Sequence, residues 1–497
     1  MLKEINALKQ LVIANPKNTQ FVNQLANLYA RSKDWNNAAL CYEGAIKNNV
    51  KDAEMYFNHA YYLRFCEKYV QAIDQYKHAL SLGISGAEEV YLNIGVIYSD
   101  YLRLEDKAKE ALLAALAINS SYIPALYNLA NIYEDEGNKE KALTLFEKVI
   151  AISPQSYDAL ARIAHIKKFS QTSDDVIQKL EWIIKHQQID ISTKINIYYA
   201  LGKAYDDCKD YSNAFKNYQL ANSEDKKTLS EYSLGNQERY INEIITTFEQ
   251  AFFKQLPVIS EASPVFICGM FRSGSTLVEQ ILAAHPQLEA GGEIEFFIRL
   301  VNKEFSPFPQ SLLKKSIEEY KKVASAYLEL LSKCFPGSNL VIDKRPENYL
   351  YIGLIKALFP NAKFIQTERN PLDNCMSIYF LRLGNRMNYA TDLKNIAHQY
   401  KLQASMMQHW KLKYPESIHT INYDKLIEQP EMEIRKLLEF SNLPWSDNCL
   451  AFHEVKNKVK TASVWQVRQP LYKSSSGRWE NYKSFLRPLI DEFPLVP

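Results

Sequence analysis

The first half of the chain repeats one apolar pattern in fixed phase. A small residue, an aromatic or leucine, an alanine, another aromatic or leucine and a small residue recur at offsets of 3, 9, 4 and 3. Ala26, Tyr29, Ala38, Tyr42 and Ala45 form one copy; Ala60, Leu63, Ala72, Tyr76 and Ala79 a second; Gly202, Tyr205, Ala214, Tyr218 and Ala221 another. Steps of three and four return to one helix face, so each copy predicts two helices that approach across small residues while aromatics fill the groove between them. Ala130, Tyr133, Ala142 and Phe146 begin a copy that ends on Val149, and Gly95, Tyr98, Ala108, Leu112 and Ala115 fit with one inserted residue. A degenerate unit near Ala164 keeps little of the pattern.

The first and second copies lie 34 residues apart, the period of the tetratricopeptide repeat, which the segment from about residue 5 to 225 resembles. Stacked helix pairs of this kind form an α-solenoid with a concave surface suited to an extended peptide or a partner subunit.

After Leu256 and Pro257 the period changes. Short β-rich runs, 265–268, 340–342, 363–367 and 418–422, alternate with helical stretches, the pattern of parallel strands joined by crossover helices. The expected organisation is a helical array over 1–225, a connecting helix and linker over 226–260, and an α/β domain with a parallel sheet over 261–497. Polar residues lie just beyond each strand, where open α/β sheets place ligands.

Two of these strand ends carry candidate chemistry. Val265 to Thr276 reads VFICGMFRSGST, with Gly269 and Gly274 spaced as in a phosphate-cradling strand–loop–helix turn. Where an NTPase loop carries lysine this chain has Ser275, and Arg272 is the nearest cation, so the expected ligand is phosphate-like but not a magnesium triphosphate. Arg272, Ser273, Gly274, Ser275 and Thr276 are the candidate binding residues, backed by the N-terminus of the adjoining helix. At the second strand end, Arg369 and Ser377 stand eight apart across a strand-to-helix junction and can converge on one phosphate.

Together the two motifs resemble those of PAPS-dependent sulfotransferases over about residues 260–485. The P-loop-like turn corresponds to the 5′-phosphosulfate loop, and the Arg369–Ser377 segment to the 3′-phosphate site. With the repeats, the whole resembles bacterial tetratricopeptide-repeat sulfotransferases, and the stretch through His285 and Pro286 resembles protein-tyrosine sulfotransferases. The resemblance implies PAPS as donor, PAP as product, no metal, and a catalytic set of Glu293, Lys344, Arg272 and Ser463. Glu293 lies 21 residues after Arg272, the offset at which protein-tyrosine sulfotransferases keep their proposed base. Lys344, in Asp-Lys-Arg-Pro at a strand end, would stabilise the leaving oxygen. Ser463 would bond the sulfuryl group, Arg478 would add charge beside the 3′-phosphate, and Tyr423 would contact the adenosine side. His285 is a rival base, set against a packing role before Pro286. Glu295 stands where protein-tyrosine sulfotransferases have arginine, which leaves the acceptor open among a peptide tyrosine, a carbohydrate and a small-molecule hydroxyl.

Composition narrows the alternatives. A formal net charge of +2 over 497 residues gives no global field for polyanions, so nucleic acid is not an expected partner. Seven scattered cysteines suggest neither a zinc site nor a disulfide framework and fit a reducing compartment. No run reaches the length of a membrane span and the N-terminus lacks a leader pattern, so a cytoplasmic protein is expected. Two rival readings remain: a P-loop kinase or NTPase, and a non-catalytic repeat scaffold with a nucleotide-binding domain.

Overall fold

A computed structural model describes residues 1–48, 51–338, 340–454, 467–468, 470–471 and 475–493. The chain divides into two compact units, Met1–Ile166 and Lys167–Pro497.

The first unit is a run of helices, from Leu2–Ala14 to Tyr157–Ile166. Asn18, Asp34 and Asp52 cap successive helices through side-chain oxygens that accept backbone N–H groups. Every pattern residue of the first two copies is buried, from Ala26 through Ala79. The copy that needs an extra residue contains a π-helical turn at Ile97–Tyr101 directly after the helix Ala87–Val96. The insertion is thus absorbed as a widened turn, and Ile97 stays fully buried.

The second unit begins inside the repeat pattern. Helices Ile191–Asp207 and Tyr211–Lys226 carry the last clean copy, and they pack on the α/β part rather than standing apart. Gly202 lets the Tyr218 ring approach so closely that a Cβ would sit 2.8 Å from it. Tyr218 in turn stacks on Phe380 with ring centroids 3.9 Å apart. Buried Asn222 donates to the Tyr379 carbonyl at 2.8 Å, and Arg382 pairs with Asp225 at 3.3 Å. The repeat pattern therefore runs to about residue 225, while the compact division falls at 166/167, because aromatic stacking and buried polar bonds tie the last helix pair to the α/β part.

The α/β part is built on five parallel strands: β1 Val265–Gly269, β2 Leu288–Ala290, β3 Leu340–Lys344, β4 Lys363–Glu368 and β5 Ile418–Asn422, in the order β2-β3-β1-β4-β5. β1 is buried throughout, as expected of a central strand covered on both faces. The register sets Ile267 beside Lys344 and Gly269 beside Thr367. The carboxyl ends of β1, β3 and β4 therefore meet at one edge. None of the described helices is long and apolar enough to cross a membrane.

Candidate active site

β1 ends at Gly269, and the chain turns through Arg272, held at φ 67°, and Gly274, at φ 101°, into the helix Ser275–Ala283. The turn has no room to spare. A Cβ on Gly269 would lie 2.5 Å from Thr367 Oγ1, and one on Gly274 would lie 2.7 Å from the Tyr423 ring. Ser273 is buried and meets Thr367 Oγ1 at 2.6 Å. It fastens the loop to β4. Ser275 and Thr276 begin the helix and are buried.

The second motif closes on the first. Arg272 Nε donates to Ser377 Oγ at 3.1 Å, and Asn374 donates to the Phe271 carbonyl at 3.0 Å. Asn370 caps the helix Pro371–Tyr379. The Arg369 guanidinium lies 4.8 Å over the Tyr423 ring and donates to the Ser475 carbonyl, while its Nε is buried without a hydrogen-bond partner among the described residues. Tyr423, whose hydroxyl meets Ser475 Oγ at 2.7 Å, thus forms a wall against both Gly274 and Arg369.

Lys344 ends β3 and is 1% exposed. Its ammonium donates to Glu293 at 2.8 Å and lies 3.8 Å from Glu279. Glu293 remains one-third exposed, so a reactant can reach it. Glu279, buried in the loop helix, accepts the Gly292 N–H at 2.9 Å. Burial pushes its carboxyl up to about 7, against the pull of Lys344. Asp343, wholly buried, is likewise pushed up to about 7 by burial, although Asn348 and Tyr327 donate to it.

Both carboxyls bind protons in the folded state that an unfolded chain, titrating near pH 4, releases. Their contribution to stability is complete below about pH 4 and is lost as pH rises through about 7. The thermal midpoint of Asp343→Asn is therefore expected to gain on that of the wild type between pH 5 and 8, as read by calorimetry.

Beside Glu293, Glu295 pairs with Arg299 at 3.0 Å and lies 3.7 Å from Arg386. Partial burial pushes its carboxyl up, but Arg299, Arg345 and Arg386 more than offset this and hold it below its ordinary value.

His285, Arg478 and Ser463 complete the candidate residues. His285 is buried, with Nδ1 accepting from Gln287 N at 3.2 Å and Nε2 meeting the Pro444 carbonyl at 3.1 Å. Both ring nitrogens are engaged structurally, so the packing role fits it. Arg478 pairs at 2.5 Å with Asp206 of the last repeat helix pair, where Tyr482 also bonds. Ser463 lies outside the described residues. Sequence reasoning missed Glu279, whose one signal is a carboxylate within a mostly apolar helix, TLVEQIL. Among the described residues no cluster of His, Cys, Asp and Glu could hold a metal ion.

Residues 264–447 match the family model described as Sulfotransferase family, and 88–122, 123–156 and 195–228 match tetratricopeptide-repeat models. An uncharacterized protein of Aquifex aeolicus (strain VF5) is 33% identical over 414 residues, 80% of this chain. The chain spans only 52% of that relative's length. Protein-tyrosine sulfotransferase 1 of Danio rerio is 24% identical over 213 residues, covering 41% of this chain and 60% of that protein. Among solved structures, the sulfotransferase domain of the Synechococcus PCC 7002 olefin synthase aligns with a TM-score of 0.36 at 18% identity, covering 46% of this chain and 90% of that one.

Proposed function

We propose that this chain, which joins tetratricopeptide repeats to a sulfotransferase-family domain, transfers a sulfuryl group from PAPS to an acceptor hydroxyl. The observation that carries this reading is the bond from Arg272 to Ser377. It brings the loop assigned to the 5′-phosphosulfate against the segment assigned to the 3′-phosphate. The residues present fit such a donor. The Arg369 Nε, buried without a partner among the described residues, is a costly unmet donor that a phosphate oxygen satisfies. Gly269 and Gly274 admit close backbone approach, and the helix Ser275–Ala283 presents its free N–H groups.

When bound, PAPS supplies the sulfuryl group, and its bridging oxygen departs with PAP. Glu293 takes the acceptor proton as the acceptor oxygen bonds sulfur and the old sulfur–oxygen bond breaks. Lys344 holds positive charge where the departing oxygen gains negative charge, and Arg272 supports it from the loop. Ser463 is assigned to the sulfuryl oxygens, Tyr423 to the adenosine side, and Ser273, Ser275 and Thr276 to the loop cradle. None of these roles calls for a metal.

A protein or peptide tyrosine is the preferred acceptor. Arg299 and Arg386, beside Glu295, offer guanidiniums to an anionic segment. Within the repeats, a cavity of 350 Å³ is lined by Asn23, Asn27, Tyr42, Asn58, Tyr62 and Glu89, among others. The Tyr42 and Tyr62 hydroxyls donate to the amide oxygens of Asn23 and Asn27 at 2.8 and 3.1 Å. This orientation leaves the NH₂ groups as donors for main-chain carbonyls. Seven cysteines, none in a disulfide, accord with a reducing, cytoplasmic setting.

Incubation of the protein with radiolabelled PAPS, host extract and EDTA tests the reading. Label is expected in protein at tyrosine, and not when Glu293→Ala is used. Label in carbohydrate or a small molecule would overturn the acceptor, transfer to nothing would favour the scaffold, and magnesium-dependent ATP turnover would restore the kinase.

A further inference from the structure

Lys344 faces two carboxylates rather than one, and only Glu293 has a role in the proposed transfer. Glu279 is the fifth residue of the loop helix, with 3% exposure against 33% for the Glu293 side chain. One of its oxygens accepts the Gly292 N–H at 2.9 Å, and the other lies 3.8 Å from the Lys344 ammonium. Gly292 immediately precedes Glu293, and its carbonyl accepts the Lys344 N–H at 3.0 Å. A single side chain thus touches both the turn that presents Glu293 and the ammonium that Glu293 partners.

The charge balance during transfer gives this contact a consequence. Before reaction, Glu293 shares the compensation of a buried ammonium. Once Glu293 has accepted the acceptor proton it is neutral, just when positive charge is needed at the departing oxygen. A buried ammonium with no anion beside it sheds its proton. We propose that Glu279 is a positioning residue that fixes the turn bearing Glu293 and remains the counter-charge of Lys344 after Glu293 is protonated. Its part in the reaction rests on the sulfuryl-transfer reading; its hold on Lys344 does not.

The surrounding groups favour this hand-over. The charged groups facing Glu279 are Lys344 and Glu293, with Asp343 next along β3 and Arg345 beyond it. Burial raises the Glu279 carboxyl most, Lys344 and the Gly292 N–H lower it, and the Glu293 charge raises it. Protonating Glu293 removes that last repulsion, so Glu279 becomes more firmly anionic as its partner is neutralised.

The test uses full-length protein carrying ¹³Cε-labelled lysine, with the Lys344 resonance assigned by its loss in Lys344→Met and folding checked by circular dichroism. Glu293→Gln stands in for the protonated base. In that variant the Lys344 resonance is expected to keep its ammonium position at neutral pH. Adding Glu279→Gln is expected to move the change to the neutral amine to lower pH. Equal titration of the two would overturn the proposal, as would loss of the ammonium in Glu293→Gln alone. Should the double variant not fold, Glu279→Asp with Glu293→Gln must keep the ammonium charged, and its failure to do so would count equally against it. Neither donor nor acceptor is present, so failure here is separate from failure of the sulfuryl-transfer assignment.

Discussion

Glutamine at position 293 is expected to slow sulfuryl transfer by roughly 10²- to 10⁴-fold, the span typical of a positioned general base, while PAP affinity is unchanged. The substitution preserves shape, and its carbonyl oxygen can still accept from Lys344, which stands 2.8 Å from the carboxylate. What it cannot do is take the acceptor proton. Single-turnover measurement with labelled PAPS separates the two outcomes. An undiminished rate with normal binding would remove Glu293 from the base role.

Lys344→Met is the second large effect, and it has two readouts. Removing the cation from the strand end is expected to reduce the rate by roughly 10²- to 10³-fold, the scale seen when a preorganised charge-stabilising group is lost. It also strips the nearest positive charge from Glu279, which is already pushed up to about 7 by burial and lowered by Lys344. Glu279 then folds as the neutral acid at higher pH than before, so the variant is expected to lose stability as pH rises above 7. Thermal unfolding at pH 6 and 8 checks this. A variant whose loss between the two values equals that of the wild type would mean the 3.8 Å contact carries no coupling.

Much of this architecture is legible in the sequence because it rests on short-range periodicity. The repeats announce themselves through alanines and tyrosines that the structure buries in phase. The four longer strands stand where their apolar runs lie, extended by two residues at Lys344 and by one at each of Gly269 and Glu368. β2 escapes because its three residues, Leu288–Ala290, contain no apolar run and pair only with β3. The π-turn at Ile97–Tyr101 is visible only as a one-residue break in spacing.

At the candidate site, local motifs bring Arg272, Ser273, Arg369 and Ser377 to one sheet edge, and the structure joins them through contacts that no spacing predicts. Tyr423 becomes a wall between two motifs, since the residue after β5 packs against both. Arg478 is diverted by Asp206, a partner 272 residues earlier in the chain, and so remote a contact leaves no trace in local sequence. Glu279 is the same lesson in reverse. A carboxylate in a helix reads as a solvent-facing residue unless every face of that helix is known to be buried, which here holds from Ser275 to Leu282.

The central claim is that two strand-end motifs hold one doubly anionic nucleotide. Calorimetric titration of full-length protein with PAP in EDTA tests it directly. Saturable binding is expected for the wild type, weakened roughly 30-fold or more by either Arg272→Ala or Arg369→Ala, as for loss of a buried charged partner worth about 2 kcal/mol or more. Affinity unaltered in both variants would contradict the account.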